Sequence, residues 1–460
     1  MTNFPNSQSR RDISYRVHGY SNLKLHETRG PTIFVRGEGV RVFDDDGRSY
    51  IEGLAGLWCA SLGYGQQRLI NAATKQMGKL AYYHEFAHKT TDVTIELAAR
   101  LIDLSPVPMS KVLFGNSGSE VTDLAIKLIW YFNNAVGRPK KKKIISRIKG
   151  YHGVTVAAAS LTGLPYLHDD FDLPIERIIH TDCPHFYRYG RSGESEEAFA
   201  SRCAESLEKL IIDEGPETVA AMYCEPILGA GGVIVPPRTY YEKIQAVLQK
   251  YDILLVADEV INGFGRTGNM WGTQTMGLKP DFISCAKQLS AAYLPISALL
   301  ISDRIYQAMV KQSEKLGIFG HGSTYAGHPV AAAVALETLK IYEDENILDH
   351  VKKISPVLQD GLCNFNKHPL VGEIRGKGLI AAIELVKDKE TGEPFESKYK
   401  VGAYLQMRIE QKGVILRALG DSLAFCPPLI INEEEIKEIL AATAKSLDET
   451  LDWVNAGMPT

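Results

Sequence analysis

The chain lacks every feature that would place it in a special class. Its 460 residues contain no internal repeat and no low-complexity tract. No run approaches the ~20 apolar residues that a membrane span needs. Formal charge nearly balances at -4, which removes any electrostatic reason to expect nucleic acid or an anionic membrane as partner. Cysteine is sparse and odd in number: Cys59, Cys183, Cys203, Cys224, Cys285, Cys363 and Cys426 are scattered, with no CxxC or other metal-ligand spacing. That pattern argues against a disulfide framework and a structural metal, and for a reducing compartment. Residues 1–12 are polar, without the apolar stretch of a secretory signal, so a cytoplasmic location is expected. The one local excess of charge, Lys140-Lys141-Lys142-Lys143, directly precedes Ile144-Ile145. It is expected to be a solvated loop ahead of a strand.

What is present is an ordinary globular composition, 45% hydrophobic and 23% charged, in a chain too long for one core. The expected division is an N-terminal segment (1–64), a large central domain (65–335) and a C-terminal part (336–460). In the centre, short apolar runs at 111–114, 143–147, 219–224, 253–258, 282–286 and 296–302 alternate with helical patterns. This predicts an α/β fold with a large, doubly wound, mostly parallel sheet. A helix is expected over 120–133, stopped by Gly137-Arg138-Pro139. Residues 32–45 read as a hairpin about Gly37-Glu38-Gly39. At the C-terminus, 373–386 reads as a strand pair, and 414–418 and 422–426 as two more strands. Asn432 and Glu435 form a capping box that opens the last helix. The hairpin and the C-terminal part are expected to combine as a small α+β domain.

Two of the central runs end in opposite charges: one in Asp258-Glu259, the other in Lys287. Ligands collect at the carboxyl ends of strands in open α/β sheets. A carboxylate and an amine brought there are costly to desolvate unless something uses both. Pyridoxal 5'-phosphate needs this pair, with its aldehyde on a lysine and its ring nitrogen beside an aspartate. Asp258 alone could equally cap a helix. Lys287 has fewer alternatives, because burial both penalises a lysine and lowers its pKa toward nucleophilic use. Ser117, Gly118 and Ser119 follow a strand and open a helix, which makes either a phosphate site or an ordinary cap. Tyr151, between Gly150 and Gly153, could lie flat on a planar ring or pack as a loop aromatic. Glu225 ends the 219–224 run and could bond the cofactor's substituents or cap a turn. Gly263-Phe264-Gly265-Arg266-Thr267-Gly268 matches a dinucleotide fingerprint, but Glu259–Asn262 separates it from its strand, and Asp281 begins the next strand where it should end it. It is expected to be a loop beneath the site.

Together these pieces resemble the class III pyridoxal-phosphate aminotransferases of fold type I, the group that includes ω-transaminases. The resemblance covers about residues 50–431. Its specific stretches are Val256-Ala257-Asp258-Glu259-Val260, the glycine loop 263–268, Cys285-Ala286-Lys287-Gln288-Leu289-Ser290, and His321-Gly322-Ser323-Thr324-Tyr325-Ala326-Gly327-His328-Pro329. It implies that Lys287 binds the aldehyde and moves the proton, and that Asp258 pairs with the ring nitrogen. Tyr151 and Val260 would flank the ring. Gly118 and Ser119 would bind the phosphate, with Thr324 reaching it from a second subunit of a homodimer. The family's Ser-Glu-Ala reads Ser119-Glu120-Val121 here. The substrate side is similar to the amine:pyruvate subgroup, which implies a pocket of Leu57, Trp58, Phe86, Tyr151, Val154, Ala230 and Ile261. Arg417 would swing in for carboxylates and away for apolar amines. The implied reaction moves an amino group from a primary amine or ω-amino acid to a keto acid such as pyruvate, without metal. An aminomutase or decarboxylase on the same fold, a nicotinamide oxidoreductase and a non-catalytic binding protein are the alternatives.

Overall fold

The computed structural model describes residues 6–458, so the first five residues of the polar 1–12 stretch lie outside it. In chain order the strands are β1 (Phe34–Glu38), β2 (Arg41–Asp44), β3 (Ser49–Glu52), β4 (Lys111–Gly115), β5 (Lys143–Arg147), β6 (Ile178–Thr181), β7 (Val219–Cys224) and β8 (Leu254–Asp258). They continue with β9 (Phe282–Cys285), β10 (Ser297–Ile301), β11 (Val371–Lys377), β12 (Ile380–Leu385), β13 (Val414–Ile415), β14 (Arg417–Leu419) and β15 (Ser422–Phe425). The central sheet has the order β4-β10-β9-β8-β7-β5-β6. Its β5/β6, β5/β7, β7/β8 and β8/β9 pairs are parallel, while β10 runs against both β4 and β9. This is the mostly parallel sheet that the alternating runs predict.

Both faces of this sheet are covered, and for this reason its inner strands β7 to β10 are buried along their length and largely apolar. Leu255, Ala257, Ile283 and Cys285 belong to one core, whereas Leu254, Val256 and Phe282 belong to the other. Adjacent residues thus point to opposite faces, as the pleat requires. The helix Gly118–Ala135 covers the second face with Val121, Leu124, Ala125, Leu128, Ile129 and Phe132. Those spacings of three and four form one apolar stripe. It starts two residues before the expected Glu120, because Ser117 caps it.

The two remaining sheets, β1-β2-β3-β13 and β11-β12-β15-β14, involve the two ends of the chain. The N-terminal hairpin is joined to the C-terminal part through β13, which pairs in parallel with β3. The last helix, Glu433–Asn455, opens with the reciprocal Asn432 and Glu435 cap.

Several expectations need correction. The single strand expected over 414–418 is two: β13 pairs with β3, and after Leu416 the chain crosses to the other sheet as β14, against β15. Gly376 does not break its strand pair, for β11 runs through it and the turn falls at Gly378. Strands β3 and β6 are additional; β6 is a half-buried edge strand, so its sequence lacks a continuous apolar run. The lysine run is not a solvated loop. Lys141 is buried and donates to the Tyr251 and Asp252 carbonyls, Lys142 to Trp130 O and Asn134 Oδ1, and Lys143 pairs with Glu214. Only Lys140 is exposed.

Candidate active site

The strand ends of the central sheet converge on one cavity of about 360 Å³. Asn116 to Ser119 follow β4, Tyr151 to Gly153 follow β5, Glu225 follows β7, Asp258 ends β8, and Ala286 and Lys287 follow β9. Because β10 is antiparallel, its starting end contributes Leu294, Pro295 and Ile296 to the same rim. Ligand sites belong at this edge of an α/β sheet.

The Asn116–Ser119 end is a cup of backbone N–H groups. Ser117 Oγ accepts from Glu120 N at 3.2 Å, which leaves the Gly118 and Ser119 N–H groups without a protein acceptor among the described residues. Together with the positive end of an 18-residue helix this is an anion site. Ser117 and Glu120 have capping-box spacing, but only half of the box forms. The Glu120 carboxylate accepts from Asn116 N (2.7 Å) and Asn116 Nδ2 (2.9 Å) in place of Ser117 N. It also accepts from Ser323 Oγ. Close packing requires glycine at Gly153 and leaves little room at Gly118. A Cβ on Gly118 would lie 3.2 Å from Val260 Cγ1, and one on Gly153, at φ 135°, would lie 2.4 Å from Ser119 Oγ.

At the other end Asp258 is held for a further partner. Its Oδ2 lies 2.7 Å from His152 Nδ1 and its Oδ1 accepts from Val260 N at 3.1 Å. A carboxylate can only accept, so the proton is on Nδ1. His152 is itself buried edge-on to Tyr223, and its Nε2 has no partner among the described residues. Glu225 accepts from Tyr151 N and Gly229 N at 3.0 and 2.8 Å, which fixes the loop that carries Tyr151. Burial pushes the Glu225 carboxyl above its ordinary range, an effect offset by His152 and reinforced by Asp258.

Lys287 is the one ammonium on the cavity wall. It makes no ion pair with Asp258 and no hydrogen bond within the described residues, although both residues line the same cavity. Burial lowers its pKa, and the Asp258 carboxylate opposes that shift only in part. Its backbone adopts φ 46°, a left-handed conformation that side chains rarely take. The next residue anchors this turn: Gln288 Nε2 donates to the Ile261 and Gly263 carbonyls, and Gln288 Oε1 accepts from Arg266. Arg266, fully buried, also donates to the carbonyls of Leu379 and Pro427. The glycine loop is therefore a brace beneath the lysine, which ties it to the C-terminal sheet.

Of the other residues singled out from sequence, Ser117, Gly118, Ser119, Tyr151, Val260 and Ile261 line this cavity. Ala230 and Arg417 line a second cavity of about 740 Å³, with Tyr20, Lys149, Tyr166 and Glu384. The Tyr20 hydroxyl, 3.2 Å from that of Tyr151, joins the two spaces, and the Arg417 guanidinium lies over the Tyr20 ring. Trp58 lines neither; it is packed in the cluster that includes Leu54, Ile227 and Ile261, behind the wall. Leu57, Phe86, Val154 and Thr324 are exposed and outside both cavities of the single chain. Phe86 and Thr324 share one aromatic face, where Phe86 packs on Gly322 and Tyr82 donates to the Thr324 carbonyl. Sequence reasoning missed His152 and Tyr20. The first stood inside the Gly-Tyr-His-Gly motif, where only its neighbour was assigned; the second carried no signal.

Comparison with known proteins agrees with this geometry. The family model Aminotransferase class-III matches residues 24–447. The chain is 51% identical over 421 residues to gamma aminobutyrate transaminase 3, chloroplastic, of Solanum lycopersicum, covering 91% of this chain and 81% of that one. With the mitochondrial gamma-aminobutyrate transaminase 1 of Oryza sativa subsp. japonica identity is 49% over 437 residues, 95% of this chain and 84% of that one. A crystal structure of the omega transaminase from Pseudomonas jessenii in complex with PMP superposes with TM-score 0.97 at 55% identity, covering 98% of this chain and 100% of that one. The chain belongs to the class III aminotransferases. It is a transferase of PLP fold type I, and its cofactor is pyridoxal 5'-phosphate. The cavity fits that group: unpartnered N–H donors for a phosphate stand at one end, a restrained carboxylate at the other, and an unpaired amine faces both.

Proposed function

We propose that this aminotransferase takes its amino group from a primary amine or ω-amino acid and delivers it to a monocarboxylic keto acid, pyruvate. The observation that carries this reading is Arg417, a guanidinium without an acid partner among the described residues, joined to the cofactor cavity through Tyr20 and Tyr151. Arg188, in the same cavity, is committed to Glu384 at 2.6 Å. The cofactor cavity itself has no cation besides Lys287. Lys149 also lines the Arg417 cavity, as a flexible point charge, so Arg417 is the one free planar fork there among the described residues, which suits one carboxylate. When it folds back on Tyr20, an uncharged amine meets a mostly apolar wall. The gamma-aminobutyrate transaminases among the relatives support an ω-amino acid donor.

Bound in the cavity, pyridoxal 5'-phosphate supplies an aldehyde for the amine nitrogen and a protonated ring that withdraws electrons from the neighbouring carbon. Gly118 and Ser119 would hold its phosphate, Tyr151 and Val260 its two faces, and Asp258 its ring nitrogen. His152 keeps Asp258 oriented. Lys287 Nζ, with its basicity reduced by burial, carries the proton taken from the amine-bearing carbon. Phe86 and Thr324 share an exposed face, which supports a homodimer in which each chain completes its partner's site. Unpaired cysteines support a reducing compartment such as the cytoplasm.

A panel of amines with pyruvate and 2-oxoglutarate as competing acceptors tests this reading. Pyruvate should be preferred, and Arg417→Leu should raise KM for carboxylated substrates by about tenfold or more while sparing neutral amines. Preference for 2-oxoglutarate, or equal losses for both classes, overturns the assignment. Lys287→Ala should abolish turnover and the borohydride-fixed cofactor adduct together.

A further inference from the structure

A second group of ligating side chains lies ahead of the first strand, apart from the transamination machinery. Asp12 is in the helix Gln8–Tyr15, His26 in the helix Leu23–Arg29, and His18 in the turn between them. Asp12 Oδ2 lies 2.8 Å from His18 Nε2 and 3.1 Å from His26 Nε2, and the two imidazole rings are 4.2 Å apart with a 31° tilt. All three ligand atoms fall within 4.8 Å of one another. The side chains are only partly accessible, 14% for Asp12, 30% for His18 and 13% for His26.

Neither helix fully buries a residue. The hydrophobic effect therefore does little to hold this segment, and the polar cluster closes it. Two imidazole nitrogens and one carboxylate oxygen are the donor set that borderline divalent ions accept, with a coordination position left open. Donors about 2.0–2.2 Å from a tetrahedral ion stand roughly 3.3 Å apart, so the two Asp12–histidine separations need to open by only a few tenths of an ångström. The other cluster with enough ligands, His185, Glu373 and Glu384, does not qualify: Arg375 and Arg188 already fill it with cations.

We propose that Asp12, His18 and His26 form a zinc-type divalent metal site that staples the N-terminal segment. Two residues beyond His18 stands Tyr20, whose hydroxyl meets that of Tyr151. The staple thus fixes the residue that joins the two cavities.

The test uses the holoenzyme, stripped with a chelator and dialysed against Zn²⁺ or Co²⁺. The wild type should retain one ion per chain, with visible Co²⁺ bands. His18→Ala and His26→Ala should each weaken binding by at least about tenfold, since even residues that merely support metal ligands carry effects of that size. Zn²⁺ should also slow tryptic cleavage after the exposed Arg16 in the wild type but not in the variants. Unchanged cofactor absorbance shows that the variants are folded. No binding by the wild type, or equal binding by wild type and the double variant, overturns the site and leaves a hydrogen-bonded triad. Binding without protection of Arg16 overturns the staple.

Discussion

Gly153→Ala gives a direct measure of how tightly the phosphate cup is built. The added Cβ would lie 2.4 Å from Ser119 Oγ and 2.9 Å from Ala158 Cβ, on a backbone at φ 135°. Ser119 cannot simply turn away, because its Oγ accepts the Val154 N–H at 3.0 Å. The backbone conformation costs about 1–3 kcal/mol for a side-chain-bearing residue, and the overpacking costs about 1–3 kcal/mol more. An empty cup relieves the clash by shifting Ser119, but a bound phosphate requires it back. The cost therefore falls on affinity. The backbone cost is the same with and without cofactor, so only the overpacking counts, and its lower bound of about 1 kcal/mol gives a roughly fivefold weaker Kd for pyridoxal 5'-phosphate. Gly193→Ala is the control, since that exposed residue shares a left-handed φ of 75° but has open space around its Cβ. Absorbance titration of the apoenzymes should show the loss for Gly153→Ala alone. A folded Gly153→Ala protein within twofold of wild type would refute the packing argument.

Other outcomes follow from the same geometry. His152→Ala removes the donor 2.7 Å from Asp258; at about 1.5–3 kcal/mol for a hydrogen bond to a charged group, kcat should fall about 10- to 150-fold. His152→Asn, which keeps an N–H donor, should recover part of it, and an unchanged kcat for His152→Ala would remove the orienting role. Burial raises the Glu259 carboxyl from 4.5 to about 7. Its folded-state pKa is the higher one, so its contribution to stability is full below about pH 4.5 and is lost as pH rises through 7. Over that window Tm should drop further in the wild type than in Glu259→Gln, and parallel curves would count against this.

The chemistry of the site was legible because burial makes charge conspicuous. Asp258 and Lys287 each follow an apolar run, and a polar group at such a position stands out without any knowledge of its neighbours. Features that depend on partners distant in the chain were not legible. The role of His152 rests on Asp258, 106 residues away. Residues 414–418 read as one strand, since nothing in the stretch reveals that Leu416 divides two sheets. The lysine run looked like solvated surface because Lys141 is buried against the Tyr251 and Asp252 carbonyls, acceptors that no side-chain pattern records. Trp58 shows the converse limit: an aromatic residue fits a pocket and the core behind it equally well by composition.

The place of β14 in its sheet has an evolutionary consequence. Arg417 begins a three-residue strand at the outer edge, followed by the turn Gly420-Asp421. Asp258, in contrast, ends a strand with neighbours on both sides, and Lys287 follows another two residues on. Loop exchange around residues 417–421 can retune which amines are accepted while the proton-handling apparatus stays intact. Selection, natural or in the laboratory, has a free hand at the margin and almost none at the centre.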